Sequence, residues 1–209
     1  MPTQADLARA IAHELGEGRV ADAFRAVPRA AFVPDEYRDR AYADVPIPIP
    51  HRQVTTQPSL TARMLAALEL TGSERTLEVG TGYGFQTALL ARLAREVVSV
   101  ERFADLAAVA GERLEREGVA NVDVVVGDGS EGVPARAPFD AIVVSAAFPR
   151  VPPPLTAQLA PGGRLVQPIG RGGDEEVVLF VAGPRGLERR RSLTGAHFVR
   201  LVGRHGFRA

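Results

Sequence analysis

Thr76-Leu77-Glu78-Val79-Gly80-Thr81-Gly82-Tyr83-Gly84 reads as a buried strand that stops at a glycine-rich turn. Leu77 and Val79 bracket Glu78, glycines take alternate positions 80, 82 and 84, and a helix-like run from Phe85 to Ala94 begins at once. Backbone bare of side chains at a strand tip lets a ligand approach closely, and the first turn of the next helix offers unpaired N–H groups. The pattern suits a nucleotide-type pocket and equally a plain strand-to-helix reversal, so its neighbours must decide.

Downstream, strands alternate with helices. Val97–Val100 leads to a helix over Ala104–Glu117, and Val122–Val126 leads to the Gly127-Asp128-Gly129 turn. Ala141–Ser145 leads through a proline-rich bend to a short helix around Leu155–Leu159, and Gly162-Gly163 turns into a strand over Arg164–Pro168. Such alternation predicts a parallel sheet covered on both faces, an α/β Rossmann-like doubly wound fold. The last stretch predicts strands over Glu176–Ala182 and His197–Val202, joined by a Gly-Pro-Arg-Gly turn, which finish the sheet in antiparallel fashion. Arg189-Arg190-Arg191 reads as a solvated turn.

Upstream lies an N-terminal helical addition. Thr3 caps a helix with Leu7, Ala10, Ile11 and Leu15 on one face, and Gly16 and Gly18 end it. A second short helix, Ala21–Val27, stops before Pro28. Prolines 46, 48 and 50 exclude a regular helix between Asp35 and Arg52 and allow only a broken or peripheral strand, so this segment reads as a lid or rim and not as core. Pro58 suits the first position of a helix whose apolar face is Leu60, Met64, Leu65 and Leu68, with Thr56 or Gln57 as its cap. The chain is expected to form a single domain, with residues 1–57 as the helical and lid addition and 58–209 as the core.

Composition narrows the chemistry. The 209 residues include no cysteine, which excludes disulfides, thiolate nucleophiles and Cys-based metal sites. All 25 basic residues are arginine, so Schiff-base catalysis and a phosphate-loop lysine are excluded as well. His13, His51, His197 and His205 show no metal-ligand spacing, and no metal is expected. With 25 acidic residues the formal charge is zero, and no broad basic field invites nucleic acid. No apolar run approaches the roughly 18 residues of a membrane span, and the first residues lack a secretion signal's pattern. The expectation is a cytoplasmic protein.

In an open α/β sheet, ligands bind outside the carboxyl ends of the strands, where strand order reverses. Glu101 follows the second strand, 21 positions beyond Gly80, near the spacing at which an acidic residue reaches ribose hydroxyls. Asp128, between two glycines after the third strand, offers a carboxylate and bare backbone to an adenine edge. Singly, Glu101 is equally a helix cap and Asp128 equally a turn former. Together, at the ends of three successive strands, they point to a nucleoside-containing ligand. A dinucleotide site shows Gly-x-Gly-x-x-Gly, whereas the spacing here is Gly-x-Gly-x-Gly with Glu78 two residues before it. This resembles the S-adenosylmethionine site of class I methyltransferases.

Val27-Pro28-Arg29, Phe32-Val33-Pro34, Gln53-Val54-Thr55-Thr56-Gln57-Pro58, the glycine segment through Ala88, Val100-Glu101, Gly127-Asp128-Gly129, Phe139 to Ala147, Pro161 to Val166 and Phe198 to Gly203 resemble the protein-L-isoaspartate O-methyltransferase family over nearly the whole chain. The resemblance implies S-adenosylmethionine as cofactor and isoaspartyl residues of proteins or peptides as substrate, on a monomer. It implies cofactor binding by Glu78, Gly80, Thr81, Gly82, Glu101, Asp128 and Gly129, with Glu101 on the ribose, Asp128 and Gly129 on the adenine, and Gly80 and Gly82 at the amino-acid end. Thr56 stands where the family has a serine hydroxyl close to methyl donor and acceptor, and Gln53, Thr55 and Gln57 become substrate-side residues. Three alternatives remain open: a carboxyl methyltransferase acting on a normal aspartate of a dedicated peptide, a small-molecule methyltransferase, and a non-catalytic S-adenosylmethionine-binding protein. Pro50-His51-Arg52 departs from the family's Gly-x-Gly and is expected to reshape the acceptor-side loop while sparing the cofactor site, with His51 as a rim residue and not a general base.

Overall fold

Local chemistry sets the start of the N-terminal addition in the computed structural model, which describes residues 1–171 and 173–208. Helix α1 (Gln4–Leu15) opens at Thr3, whose hydroxyl accepts from the Asp6 N–H while the Asp6 carboxylate accepts from the Thr3 N–H, and it closes at Gly16. Helix α2 (Arg19–Ala26) stops ahead of Pro28. Two short 3₁₀ turns, Arg29–Phe32 and Asp35–Arg40, follow. The proline-rich stretch then forms a separate two-stranded antiparallel hairpin, β1 (Ile47–Ile49) and β2 (Gln53–Thr55). Its strand is peripheral, as expected, but the segment is more than rim. Ala41 and Ile47 are fully buried with Val33 in a small apolar cluster of their own.

Helix α3 (Pro58–Ala67) starts at Pro58, yet neither Thr56 nor Gln57 caps it. The Asp44 carboxylate does so from a distance, accepting the Ser59 N–H at 2.8 Å. The main unit then runs β3 (Arg75–Val79), α4 (Phe85–Leu93), β4 (Glu96–Glu101), α5 (Ala104–Arg116), β5 (Val122–Val126), β6 (Phe139–Val144), α6 (Pro153–Ala157), β7 (Leu159–Ile169), β8 (Glu175–Gly183) and β9 (Gly186–Ala196). Its seven strands lie in the order β5-β4-β3-β6-β7-β8-β9. The first five are mutually parallel, and β8 runs antiparallel to both of its neighbours. This is the mostly parallel, doubly wound sheet with an antiparallel C-terminal end. Its order reverses between β3 and β6, directly above the glycine turn.

Alternation along the central strands feeds two cores. Ala141 and Val143 pack in one cluster with Phe24, Met64, Leu65, Leu89 and Leu90 from the helices, whereas Ile142 and Val144 join Leu77, Val79, Val98 and Val100 in the other. Successive side chains point to opposite faces of a strand, and both faces are covered. Leu7, Ile11 and Phe24 of the N-terminal helices belong to the first cluster, so the addition is packed into the fold and not appended to it.

Two expectations fail at the C-terminal end. The strand after the Gly183–Gly186 turn begins at Gly186 itself and runs to Ala196, not over His197–Val202. Arg189, Arg190 and Arg191 therefore lie on an exposed edge strand and not in a turn. The run Glu188–Arg191 lacks apolar alternation because an edge strand is held by backbone pairing to β8, and exposed charges on it discourage further strand addition. Residues after Ala196 run back over the carboxyl ends of the strands, where a single parallel bridge pairs Arg200 with Ala147. The Gly162-Gly163 turn appears as a bulge inside β7: Phe139 pairs with Leu159, whereas Ala141 pairs with Arg164. Among the described residues, no helix is long and apolar enough to cross a membrane.

One buried cation gathers the proline-rich segment. Arg29 is 0% exposed, and its guanidinium donates to the carbonyls of Ala41, Ala43 and Val45 and to the Thr55 hydroxyl at 2.9–3.1 Å. It lies 5.7 Å from the centroid of the Phe85 ring. Burial lowers its pKa to about 10, which keeps it protonated at neutral pH. Replacing Arg29 with Met removes four donated bonds and strands their acceptors, so it should destabilise the fold by about 3 kcal/mol. Urea unfolding tests this; a loss under about 1 kcal/mol would mean that the segment is held by its apolar cluster instead.

Candidate active site

The glycine turn takes the backbone form its sequence requires. Gly80, Gly82 and Gly84 have φ of 97°, 55° and 91°, a region that residues with a Cβ avoid, and Gly84 leads directly into α4. The turn forms one wall of a cavity at the carboxyl ends of β3, β4 and β6, which Gly80, Thr81, Gly82, Glu101, Gly129 and Ser145 help to line. Glu101, at the end of β4, is 6% exposed. Its two carboxylate oxygens accept from the Gly82 N–H at 3.0 Å and the Phe103 N–H at 3.1 Å, which fixes its orientation and leaves lone pairs for a further donor.

Glu78 is placed differently from Glu101, which was also read as a cofactor ligand. It is 0% exposed and lies beneath the turn, where it accepts from Gln86 Nε2 at 3.0 Å, Thr87 Oγ1 at 2.5 Å and Ser99 Oγ at 2.6 Å. Gln86 Nε2 also reaches Ser145 Oγ at 2.9 Å, and Ser99 Oγ meets Thr81 Oγ1 at 2.5 Å. A polar network thus runs under the floor from one strand end to the next. Burial is the largest influence on Glu78 and pushes its pKa up to about 7 against the opposing hydrogen bonds.

Asp128 also differs from expectation. Its carboxylate accepts from Ser130 N–H at 2.9 Å, Ser130 Oγ at 2.7 Å and the Arg204 N–H at 2.7 Å, so it ties down the C-terminal segment and does not line the cavity. Gly129 does line it, pressed so closely to β3 that a Cβ there would stand 2.5 Å from Val79 Cγ1. The segment that Asp128 holds supplies Val199–Val202 as a further wall. The sequence signal for that wall was present in Phe198 to Gly203, whose apolar alternation reads as a strand but carries no register with the cavity.

A second cavity adjoins the first and is lined in part by Asp44, Gln57, Arg63, Thr194 and His197. Val54, Thr55, Thr56, Ser145 and Val199 line both, so Thr56 stands at their junction. Of the substrate-side residues read from the sequence, Gln57 donates to Asp44 Oδ2 at 2.8 Å and faces the second cavity. Gln53 lines the first and donates to the His51 carbonyl at 2.9 Å. The Thr55 hydroxyl is engaged by Arg29 at 3.0 Å and by the Ile47 N–H at 3.2 Å, which fastens β2 to β1 and to the buried guanidinium. Arg63, Gln86 and Phe103 were not singled out from the sequence. Each sits at a helix start or on a helical face, where the pattern reads as ordinary helix surface or core.

The loop before Gln53 behaves otherwise than expected. His51 and Arg52 adopt φ of 60° and 56°, keeping a backbone form that glycine favours, and the turn reaches toward α5 beside the first cavity. The departure from Gly-x-Gly therefore bears on the first cavity and not on the second. Among the described residues, no cluster of His, Cys, Asp or Glu is arranged to hold a metal.

Comparison with known proteins agrees with this geometry. The family model described as protein-L-isoaspartate(D-aspartate) O-methyltransferase matches residues 6–206. The chain is 45% identical over 197 residues to protein-L-isoaspartate O-methyltransferase 1 of Syntrophobacter fumaroxidans, covering 94% of this chain and 92% of that one. It is 52% identical over 186 residues to the protein-L-isoaspartate O-methyltransferase of Anaeromyxobacter dehalogenans, covering 88% and 89%. A solved protein-L-isoaspartate O-methyltransferase superposes with TM-score 0.88 at 28% identity, covering 98% of this chain and 67% of that one. A Plasmodium falciparum structure titled as a putative enzyme of this kind, in complex with S-adenosyl-L-homocysteine, shares the fold with TM-score 0.83 at 20% identity, covering 97% and 99%.

The raised Glu78 pKa has a sign that can be measured. A carboxyl whose folded pKa lies near 7, above its usual 4.5, binds its proton more tightly in the folded state, so this group's contribution to stability falls as pH rises between those values. Relative to Glu78→Gln, the wild-type protein should lose about 3 kcal/mol between pH 4.5 and 7. Parallel urea-stability profiles for the two proteins over that range would show that Glu78 is not protonated in this way.

Proposed function

Since the chain belongs to the protein-L-isoaspartate O-methyltransferase family, we propose that it methylates the free carboxylate of isoaspartyl residues in damaged proteins and peptides. Thr56 at the meeting point of the two cavities carries the assignment, because methyl transfer needs a donor site and an acceptor site that open onto one another.

S-adenosylmethionine, when bound in the first cavity, supplies a sulfonium methyl group. The residues there fit it. Glu101 has carboxylate lone pairs available for a ribose diol, and Gly129 presents bare backbone on the cavity wall. Gln86 Oε1 is a buried acceptor without a partner, suited to an ammonium donor beside Gly80 and Gly82. Glu78 serves indirectly, by holding Gln86, while Asp128 serves by holding the C-terminal wall.

Most of the chemistry left to the protein is positioning. An acceptor carboxylate with a pKa near ~4 is ionised at neutral pH and needs no catalytic base, so the absence of cysteine and lysine costs nothing. The Thr56 hydroxyl orients an acceptor oxygen by donating one hydrogen bond. The β1–β2 hairpin and the C-terminal wall exclude water, and alignment of the reactants lowers the barrier without covalent catalysis. Asp44 already occupies the start of α3, so the acceptor is held by side chains of the second cavity and not by that helix terminus. The next backbone nitrogen then attacks the methyl ester and expels methanol, which closes a succinimide, and addition of water to the ring returns some normal aspartate. We take the chain to act as a monomer of one domain, with residues 1–57 as the addition, in the cytoplasm.

The purified protein should label an isoaspartyl peptide and leave its normal aspartyl isomer unlabelled. Equal labelling would favour a broader carboxyl methyltransferase, and no labelling with cofactor bound would favour a non-catalytic binder. Thr56→Ala should lower kcat about tenfold with the cofactor Kd little changed, as expected for one lost orienting bond. Glu101→Ala should weaken cofactor binding by about one to two orders of magnitude in calorimetry. Undiminished turnover in Thr56→Ala would remove that residue from the mechanism.

A further inference from the structure

The turn of the β1–β2 hairpin is fastened across the rim of the cofactor cavity by a side chain that the reaction does not use. His51 and Arg52 both stand in the left-handed region, at φ of 60° and 56°. Consecutive residues with large side chains persist there only where surrounding contacts over-determine the conformation. Those contacts are specific. The His51 ring lies flat on Phe103, with centroids 4.1 Å apart and planes 3° from parallel. Its Nε2 stands 2.9 and 2.8 Å from the two carboxylate oxygens of Asp105, in the first turn of α5. The same contact holds the Asp105 carboxyl below its usual range.

Both sides of this contact belong to the cavity. Phe103 lines it, as do Ile49 and Gln53 on the two arms of the hairpin. The Phe103 N–H also donates to Glu101 at 3.1 Å, and Gln53 donates to the His51 carbonyl at 2.9 Å. Arg102 lies 4.9 Å from the Phe103 centroid, over the same ring. The clasp therefore joins the lid turn to the corner that carries the ribose-side carboxylate, one residue removed from it.

We propose that His51 is a positioning residue that latches the hairpin over the nucleoside end of the cofactor, so that release of S-adenosylhomocysteine requires the His51 contacts with Phe103 and Asp105 to open. This rests on the assignment of the first cavity to the cofactor. An aromatic stack together with a half-exposed hydrogen bond to a carboxylate retards opening by about one order of magnitude.

Stopped-flow dissociation of S-adenosylhomocysteine from the full-length protein tests the latch. His51→Ala should release it about tenfold faster, with the peptide KM at saturating cofactor unchanged. His51→Phe, which keeps the stack and loses the contact with Asp105, should fall between the two, as should Asp105→Asn. His51→Gly is the decisive control. It relieves the left-handed strain, so a purely structural role predicts a more stable protein with normal release, whereas the latch predicts fast release whatever the stability. Normal release from both His51→Gly and His51→Ala overturns the latch alone. A wild-type protein that binds no S-adenosylhomocysteine overturns the cavity assignment and the latch with it.

Discussion

A guanidinium with no carboxylate partner holds the catalytic side of this protein in shape. Arg29 is buried against Phe85 and spends its charge on three backbone carbonyls and one hydroxyl. Those acceptors lie in the proline-rich segment, which cannot form a continuous ladder and would otherwise leave carbonyls unpaired in an apolar setting. A planar fork with several fixed donors can serve such scattered acceptors at once, which a lysine ammonium on a flexible stem does less well. Because one of the acceptors is Thr55, the same cation sets the position of the peptide that carries Thr56. Fold and chemistry are joined at this side chain.

The rest of the site is built on the same division between groups that touch ligands and groups that hold them. Glu78 sits below the turn and organises Gln86, Thr87 and Ser99; Asp128 sits beside it and organises the final segment. Each collects three donors, which explains why both are carboxylates. Only an acceptor with two oxygens and several lone pairs can collect three donors in so small a space. Glu101 alone combines both tasks, bracing the glycine turn through Gly82 while remaining on the cavity surface.

Much of this was legible in the sequence, for identifiable reasons. Alternation of apolar residues and the glycine spacing disclosed the parallel sheet, its helices and the ends of β3, β4 and β5, because these depend on local patterns of burial and turn geometry. The Gln53–Pro58 segment disclosed the acceptor side through resemblance. Hidden from that reading was whatever depends on long-range contact. β9 is an edge strand whose exposed arginines mimic a turn, and its existence follows from pairing with β8. Asp128 and Glu78 were read as ligand groups because a carboxylate at a strand end looks the same whether it faces the cavity or a hydrogen-bond donor behind it. That the Thr55 hydroxyl is engaged by Arg29 was hidden on the same ground, since the two lie 26 residues apart.

The tie between Asp128 and the C-terminal wall has a further consequence, which concerns the protein's own ageing. Asp128-Gly129 is an aspartyl–glycyl pair, the kind of bond in which a side-chain carboxyl meets little steric resistance as it closes on the following nitrogen, and the chain contains only one asparagine, Asn121. Asn121 is immobilised by donation to the carbonyls of Ala91, Ala94 and Arg95. At Asp128, burial raises the carboxyl pKa, but hydrogen bonds from Arg204 and Ser130 outweigh it and hold the group ionised, while the same bonds keep its carbon from swinging onto the Gly129 nitrogen. The contacts that finish the cavity thereby also restrain the chain's one aspartyl–glycyl bond, in an enzyme that mends bonds of this kind.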